Sequence, residues 1–391
     1  MMNKPLPILL TTLLLLTGCA MSPQAPRSPA PASPGGHTAA PARTPSPQRP
    51  APDTGHTGYT GPSLVGLSTD DFGVTVVTDK LDYPWEVRQS EGTLIITEVA
   101  GTIAMVDHKG RFDRYEVQTS APVVHDGGSG LMGLALAEDF AESGTAYIYY
   151  TYKGQDGLTN RIAEASFDGS AWRETGVLLD GIPGHELYNG GRIAIGPDGY
   201  LYATTGWVHD ERMPQDRNSL AGKILRLALD GSVPEDNPFD GSFVYSYGHR
   251  NPQGLAWDAK GRLFSAEHGE AAHDEINLIT PGTNYGWPAA QGTDDQDGME
   301  PAFLGSGSDT WAPSGIAFAG DELVVAALAA QILYVMDDDA RTMHPLFSSG
   351  ERARAVLPYQ NGIYVTSTNT SPRATEGATS VDRLLWISAA S

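Results

Sequence analysis

The sequence has little of three things: cysteine, positive charge and long apolar runs. One cysteine, Cys19, occurs in 391 residues, so no internal disulfide can form. The chain has 25 lysines and arginines against 47 aspartates and glutamates, a net charge of −22. That balance argues against a nucleic-acid surface, because phosphates require clustered Lys and Arg. The apolar run over residues 6–16 is too short to span a bilayer.

The N-terminus combines a short apolar run with the single cysteine. Lys4 supplies a positive charge, residues 6–16 are apolar, and the run ends in Leu16-Thr17-Gly18-Cys19. This pattern resembles the lipobox of a bacterial lipoprotein signal peptide. The resemblance implies that residues 1–18 are cleaved and that the protein is exported. It also implies lipidation of Cys19, with attachment to the cell envelope at its periplasmic or extracellular face. The alternative is an ordinary secretory signal with a chance cysteine.

The segment after the cysteine is rich in Pro, Ala, Ser, Thr and Gly and has almost no large apolar residues. Such a composition cannot bury enough surface to offset its ordering entropy, so we predict a disordered tether over residues 19–62. The folded region is then residues 63–391. These roughly 330 residues exceed what one compact core usually serves, which indicates two domains or a repeat array.

An apolar run, a polar turn and an alternating apolar run recur six times in the folded region. This period-2 alternation, without long helical periodicity, predicts an all-β fold. The spacing of roughly 40 to 60 residues is typical of propeller blades, so we predict a six-bladed β-propeller of four-stranded antiparallel blades. A β-sandwich is the alternative, but it rarely needs six similar hairpins. The six hairpins are predicted at residues 87–97, 133–150, 192–206, 255–264, 315–325 and 355–365.

Chemically distinctive residues concentrate between Gly248 and Pro288. Arg250 and Asn251 precede Pro252, which disfavours a helical backbone at Asn251 and so indicates an extended or turn geometry. A crowded group of titratable residues follows one hairpin later: Glu267, His268, Glu270, His273, Asp274 and Glu275. Titratable side chains as near to one another as these shift one another's protonation unless a positive charge lies among them. The cluster therefore points to a bound hard cation. The alternative is a solvated acidic loop.

Several strings across the folded region resemble the soluble aldose-sugar dehydrogenases that use pyrroloquinoline quinone (PQQ), the glucose/sorbosone dehydrogenase family. The resemblance implies a six-bladed propeller with PQQ and Ca²⁺ at one mouth of its central channel. The strings that carry it are DYPWEV (82–87), ITEVAGTI (96–103), GLMGLAL (130–136), NGGRIAIGPDGYLYATTG (189–206), AGKILRL (221–227), GHRNPQGLAW (248–257), DEINLITPGTNYGWP (274–288) and APSGIAF (312–318).

The resemblance also assigns the quinone contacts. Arg250 and Asn251 match the family's quinone-contacting pair, and Arg352 and Arg354 match arginines of the last blade. PQQ is a planar tricarboxylate, and the Arg fork matches carboxylates in bidentate fashion. Residues two apart lie on one face of a strand. The alternative for Arg352 and Arg354 is an outward-facing, solvated pair.

The same resemblance assigns two calcium sites. The carbonyls of Gly269 and Glu270 would bind the Ca²⁺ that touches the quinone, with Asp274 beside it. Glu275 and the carbonyl of Tyr285 match a second, structural site. Oxygen donors of this kind suit Ca²⁺.

The sequence departs from the family at the acid–base pair. In the family mechanism a histidine removes the hydroxyl proton and an aspartate orients it. Here Tyr188 stands at the base position and Trp207 at the aspartate position. A tyrosine is a poor base at neutral pH unless a cation is near. His185 and His209 are the neighbouring candidates to replace the missing base.

Two functions remain open at this point. The first is an oxidoreductase that oxidises an aldose or related CH–OH group by hydride transfer to PQQ and passes electrons to a quinone or cytochrome. The alternative is a non-catalytic propeller lipoprotein that binds a ligand or carbohydrate, which the replacements at Tyr188 and Trp207 favour.

Overall fold

The computed structural model describes residues 58–338, 341–372 and 380–389. The predicted signal peptide, Cys19 and most of the predicted tether lie outside these residues. Within them, a 3₁₀ turn spans Thr69–Asp71 and one short helix, α1, spans Phe140–Ser143, while the remaining regular structure is β. The all-β prediction is confirmed.

Three four-stranded antiparallel sheets are each built from consecutive strands. Their strands are β10 (Ile193–Ile195), β11 (Leu201–Thr205), β12 (Lys223–Leu227) and β13 (Val244–Tyr247); β14 (Pro252–Trp257), β15 (Leu263–Glu267), β16 (Glu275–Ile279) and β17 (Leu304–Gly305); and β18 (Pro313–Ala319), β19 (Glu322–Ala327), β20 (Ile332–Asp337) and β21 (Thr342–Phe347).

An eight-stranded sheet precedes them in the chain. Its first half is β2 (Pro84–Ser90), β3 (Thr93–Glu98), β4 (Thr102–Val106) and β5 (Phe112–Gln118), and its second half is β6 (Leu131–Leu136), β7 (Thr145–Lys153), β8 (Leu158–Phe167) and β9 (Trp172–Pro183). Each half is antiparallel. The halves meet through a short parallel contact, in which Val117 pairs with Trp172 and Gln118 with Arg173.

The fifth sheet combines the two ends of the described chain. Its strands, in spatial order, are β1 (Phe72–Leu81), β24 (Asp382–Ala389), β23 (Gly362–Ser367) and β22 (Ala353–Tyr359). The first strand of the fold therefore completes a sheet whose other three strands come last.

All six predicted hairpins are found as antiparallel strand pairs. The turns explain why. Between β2 and β3, Glu91 and Gly92 have φ of 47° and 80°, the left-handed geometry that tight hairpins need. Between β10 and β11, Gly199 takes the left-handed position after Asp198.

The first strands of successive units touch one another in order. β2 contacts β6, β6 contacts β10, and the series continues through β14, β18 and β22 back to β2. Apolar clusters fill the spaces between neighbouring sheets; one of them joins Trp85, Tyr149 and Leu225. Each sheet thus buries its faces against its neighbours, and the first strands surround a common axis.

Residues just before β1 lie against the folded body. Leu64 is buried, and its N–H donates to Glu322 Oε2 at 2.6 Å. Tyr59 and Thr60, within the predicted tether, contact Gln360. In the part of the chain that the structure describes, no helix has the length and apolar character needed to cross a membrane.

Candidate active site

A pocket of about 390 Å³ opens at one end of the ring of first strands. Every first strand contributes to it from its N-terminal end or from the loop just before it. The contributors are Tyr83 and Trp85 at β2, Gly127 and Gly128 before β6, Leu187 and Tyr188 before β10, Arg250 and Asn251 before β14, Ala312 before β18, and Arg352 and Arg354 at β22. The four predicted quinone contacts therefore converge in one pocket.

Arg250 is held by aromatic faces. Its guanidinium carbon lies 4.6 Å from the ring centre of Tyr188, 5.2 Å from that of Trp287 and 5.6 Å from that of Trp207. Nη1 donates to the carbonyl of His268 at 3.2 Å. The cation is 7% exposed, so these π-faces replace most of its water.

Arg352 and Arg354 both face the pocket, which the two-residue spacing allowed but did not decide. Arg354 is 5% exposed, and its Nη1 donates to Gln253 Oε1 at 2.8 Å. Burial, together with the neighbouring cations Arg352 and Arg192, lowers the pKa of Arg354 to about 10. The pocket therefore holds more positive charge than the protein neutralises.

This arrangement fits an anionic ligand. The hydrogen bonds of Arg250 and Arg354 go to neutral oxygens, and neither forms an ion pair with any carboxylate of the described residues. Nε of both side chains is buried and has no hydrogen-bond partner there. Buried charges are normally paired, so the pocket is complementary to carboxylates from a ligand.

Asn251 links the pocket to the turn that carries Tyr188. Its Oδ1 accepts the N–H of Gly190 at 3.0 Å, which fixes the orientation of the amide. Nδ2 then donates to Nδ1 of His268 at 3.3 Å. Neutral His268 therefore carries its proton on Nε2.

Trp85 lines the pocket, although no role was predicted for it from the sequence. The guanidinium of Arg192 lies 4.1 Å from its ring centre and that of Arg354 lies 5.9 Å away. Arg192 forms a buried ion pair with Glu86 and donates to the carbonyl of Gln253 at 2.8 Å. Its position in the DYPWEV string was the available signal, but no pattern shows that this aromatic faces the axis.

Tyr188 lines the pocket with a constrained backbone. Its φ is 60°, in the left-handed region, and a Cβ on Gly206 would lie 1.6 Å from its carbonyl oxygen. Only glycine at 206 allows this turn to approach the end of β11. The Tyr188 ring contacts Trp207 at 5.8 Å and His209 at 4.8 Å between centroids. The two replaced positions therefore lie together, beside Arg250.

The two histidines lie behind Tyr188 and not in the pocket lining. The rings of His185 and His209 are 4.8 Å apart. Nδ1 of His185 accepts the N–H of Leu187 at 3.1 Å, so a neutral His185 carries its proton on Nε2. The lone pair that a base needs is already used.

The predicted calcium residues lie in two places. Gly269 lines the pocket, whereas Glu270 is exposed and its carbonyl accepts the N–H of Ala272 at 2.6 Å. Asp274 is buried and its carboxylate accepts three N–H groups, those of Gly269, Trp311 and Ala312. No group of three or more His, Cys, Asp or Glu side chains in the described residues could hold a metal ion. A calcium ion would depend on backbone carbonyls.

Glu275 and Tyr285 lie away from the pocket lining. Glu275 accepts hydrogen bonds from Asn277 Nδ2 at 2.9 Å and from the N–H of Gly292. Burial, and then the nearby Glu267 carboxylate, raise the pKa of Glu275 well above its ordinary value. The N–H of Tyr285 donates to Tyr247, and its ring stacks on His249.

Known proteins resemble this chain in both sequence and fold. A quinoprotein glucose dehydrogenase of Acinetobacter calcoaceticus is 36% identical over 203 residues, 44% of this chain and 42% of that protein. An aldose sugar dehydrogenase of Escherichia coli is 33% identical over 242 residues, 56% and 62% of the two chains. The matched regions thus span less than two thirds of these curated relatives.

Solved structures match over a longer range. The PQQ-bound aldose sugar dehydrogenase of Streptomyces coelicolor superposes with a TM-score of 0.74 and 36% identity, covering 81% of this chain and 98% of that one. The Glucose / Sorbosone dehydrogenase family model matches residues 81–375. The match includes every strand from β2 to β23 and the whole pocket lining. The chain therefore belongs to the glucose/sorbosone dehydrogenase family.

Proposed function

We propose that this protein is a PQQ-dependent dehydrogenase that oxidises an aldose or a related CH–OH group. The observation that carries the proposal is the convergence of Arg250, Arg352 and Arg354 in one pocket, where Arg250 and Arg354 have no carboxylate partner among the described residues. Relatives named as sugar dehydrogenases, one of them solved with PQQ, support the same chemistry. They do not favour the non-catalytic alternative.

The three arginines and Asn251 would hold the quinone. Arg250 is clamped by three aromatic faces and Arg354 by Gln253, so both cations are oriented before a ligand arrives. The bound quinone would supply the hydride acceptor for the substrate carbon, with a Ca²⁺ at the carbonyls of Gly269 and Glu270 polarising its carbonyl. Glu275 and the Tyr285 carbonyl would belong to a separate structural calcium site.

Tyr188 is the proposed proton acceptor. It lines the pocket, whereas His185 and His209 lie behind it, and the Nδ1 lone pair of His185 is already used. The guanidinium over its ring stabilises a phenolate more than a phenol, because a cation is attracted to the more electron-rich face. His209 is exposed and touches the same ring, so it is placed to pass the proton towards solvent.

Reconstitution tests the proposal. Purified protein is titrated with PQQ in the presence of Ca²⁺, binding is followed by absorbance, and dye reduction is then measured with a panel of aldoses. We expect saturable quinone binding and turnover with at least one sugar. Bound quinone without turnover would support the binding-protein alternative, and absence of quinone binding would overturn the cofactor assignment.

We also propose that the protein is exported and attached to the cell envelope by lipid on Cys19, with electrons leaving to a quinone or cytochrome. The lipobox-like end of the apolar run supports this attachment. Cys19→Ser should move the protein from the membrane fraction to the soluble fraction and abolish fatty-acid labelling. An unchanged distribution would contradict lipidation.

The blade count is proposed as six. The two antiparallel halves of the eight-stranded sheet count as separate blades, since only two residue pairs join them. The closed series of contacts among β2, β6, β10, β14, β18 and β22 supports this count. A crystal structure with a pseudo-sixfold axis through the pocket is the expected result.

A further inference from the structure

We propose that Glu267 is a positioning residue of the quinone pocket: its buried carboxylate fixes the backbone of Arg250 and Asn251, and a hydrogen-bond chain through His249 and Ser246 fixes the carboxylate. The inference rests on the proposed quinone-binding role of Arg250 and Asn251. It concerns a side chain that lines no part of the pocket itself.

Glu267 is the last residue of β15 and reaches the turn that precedes β14. Its Oε1 accepts two consecutive backbone N–H groups, that of Arg250 and that of Asn251, the second at 3.2 Å. The next residue, Pro252, has no N–H to offer. One carboxylate oxygen therefore holds the peptide groups of both residues that enter the pocket.

The other oxygen of Glu267 is held in turn. Oε2 accepts from Nδ1 of His249 at 2.8 Å, and Nε2 of His249 is 2.8 Å from Oγ of Ser246. Both carboxylate oxygens accept from other donors, Oε2 from Asn277 Nδ2 at 3.4 Å, so Nδ1 of His249 donates, and in the neutral imidazole Nε2 accepts the Ser246 hydroxyl. The His249 ring stacks on Tyr285 at 4.8 Å, which fixes its plane.

Serine, histidine and glutamate occur here in the hydrogen-bonding order of a hydrolytic triad. Ser246 and His249 are 0% exposed and Glu267 is 2% exposed, and none of the three lines the pocket. A nucleophile needs access to its substrate, which this serine lacks. The chain is therefore a support for the turn and not a second active centre.

The effect of Glu267 extends beyond Arg250 and Asn251. Asn251 also binds the N–H of Gly190, two residues after Tyr188. Fixing the Asn251 backbone therefore also fixes the contact between Asn251 and the turn that carries Tyr188, the proposed proton acceptor. Loss of Glu267 would leave two buried N–H groups unsatisfied at this junction.

The test compares Glu267→Gln with Asp258→Asn. A glutamine has one acceptor oxygen; if that oxygen stays on the two backbone N–H groups, its NH2 group faces Nδ1 of His249 and Nδ2 of Asn277, which both donate to Glu267 in the wild type. Asp258 is a matched control, because it is a buried carboxylate that accepts the N–H of Lys260 and Arg262 at the far end of the same hairpin. Both variants should unfold at lower temperature than wild type. Measurements are made on PQQ affinity and on hydrogen exchange of the Arg250 and Asn251 amides, at a temperature where all proteins are folded.

We expect Glu267→Gln to speed exchange of these two amides and to weaken PQQ binding, each at least tenfold, with both unchanged within twofold in Asp258→Asn. Unchanged amide exchange in Glu267→Gln would overturn the proposal, as would faster exchange with unaltered PQQ affinity. If wild type binds no PQQ, the proposed function fails, and amide exchange alone decides the positioning role. If Glu267→Gln does not fold, Ser246→Ala is measured in its place. We then expect two- to fivefold faster exchange of the two amides and two- to fivefold weaker PQQ binding. No change in either quantity would overturn the proposal.

Discussion

Arg354→Met should change the free protein and the quinone complex in opposite directions. Arg354 is buried, and burial lowers its pKa to about 10. The difference from the ordinary arginine value corresponds to about 3 kcal/mol of unfavourable charge burial in the free protein. Because the folded-state pKa is depressed, this cost is fully present at every pH below about 10. Methionine of similar length removes it.

The substitution also removes favourable contacts. Nη1 of Arg354 bonds Gln253 Oε1 at 2.8 Å and Ser314 Oγ at 3.4 Å, worth about 1 to 3 kcal/mol together. The net effect on the free protein is therefore between about zero and 2 kcal/mol of stabilisation. A lost charge-assisted contact to a ligand carboxylate should weaken PQQ binding about 10- to 150-fold.

Urea unfolding of the quinone-free protein and an absorbance titration with PQQ measure the two effects. Arg226→Met is the control, because Arg226 is equally buried but pairs with Asp198 and Asp236. That variant should lose stability and keep its PQQ affinity. A loss of more than about 2 kcal/mol in quinone-free Arg354→Met, or unchanged PQQ affinity, would refute the reasoning that this cation awaits an anionic ligand.

Three further outcomes are expected. Tyr188→Phe should lower kcat about 100-fold or more without changing PQQ affinity, whereas Tyr188→His should retain turnover; a fully active phenylalanine variant would remove Tyr188 from the proton-transfer step. Lys223→Met should change the free energy of unfolding at pH 7 by no more than about 2 kcal/mol, because losing the hydrogen bonds from the ammonium to the carbonyls of Met213, Pro214 and Ala221 is offset by relief of its charge burial. Burial lowers the pKa of Lys223 to about 7, so the unfolded chain binds more protons than the folded protein above that pH. The stability of the wild type should therefore rise between pH 7 and about 9 relative to that of the variant. Parallel stability–pH profiles of the two proteins would contradict this. PQQ at 100 times its Kd should stabilise the protein by about 2.7 kcal/mol in thermal unfolding, and an unchanged midpoint would argue against binding to the native state.

The hairpins could be predicted because their information is local. A turn such as that at Glu91 and Gly92 is specified by the few residues that form it, and alternation on either side sets the strands. The pocket direction of Arg352 and Arg354 is different. Spacing places them on one face of β22, but which face looks inward depends on the closure of the whole ring.

The aromatic surroundings of Arg250 depend on sequence-distant residues. Tyr188, Trp207 and Trp287 reach the guanidinium from three separate loops. The sequence identified the replaced positions, but not that the replacements touch each other and the cation. Nor could it show that the carboxylate of Glu267, within a cluster interpreted as cation-binding, accepts hydrogen bonds from backbone N–H groups. Side-chain partners of this kind are decided only when the sheets are packed.

The pairing of β1 with β24 has a consequence for the order in which the pocket forms. Phe72 pairs with Ala389, so the sheet that carries Arg352 and Arg354 is complete only when two strands about 300 residues apart have met. Contacts this distant in sequence form slowly, because the closure entropy is lost before the contacts form. We therefore expect the pocket to assemble late in folding, after these two distant strands have met. A quinone could then be bound only by a chain in which the two ends of the fold have already paired.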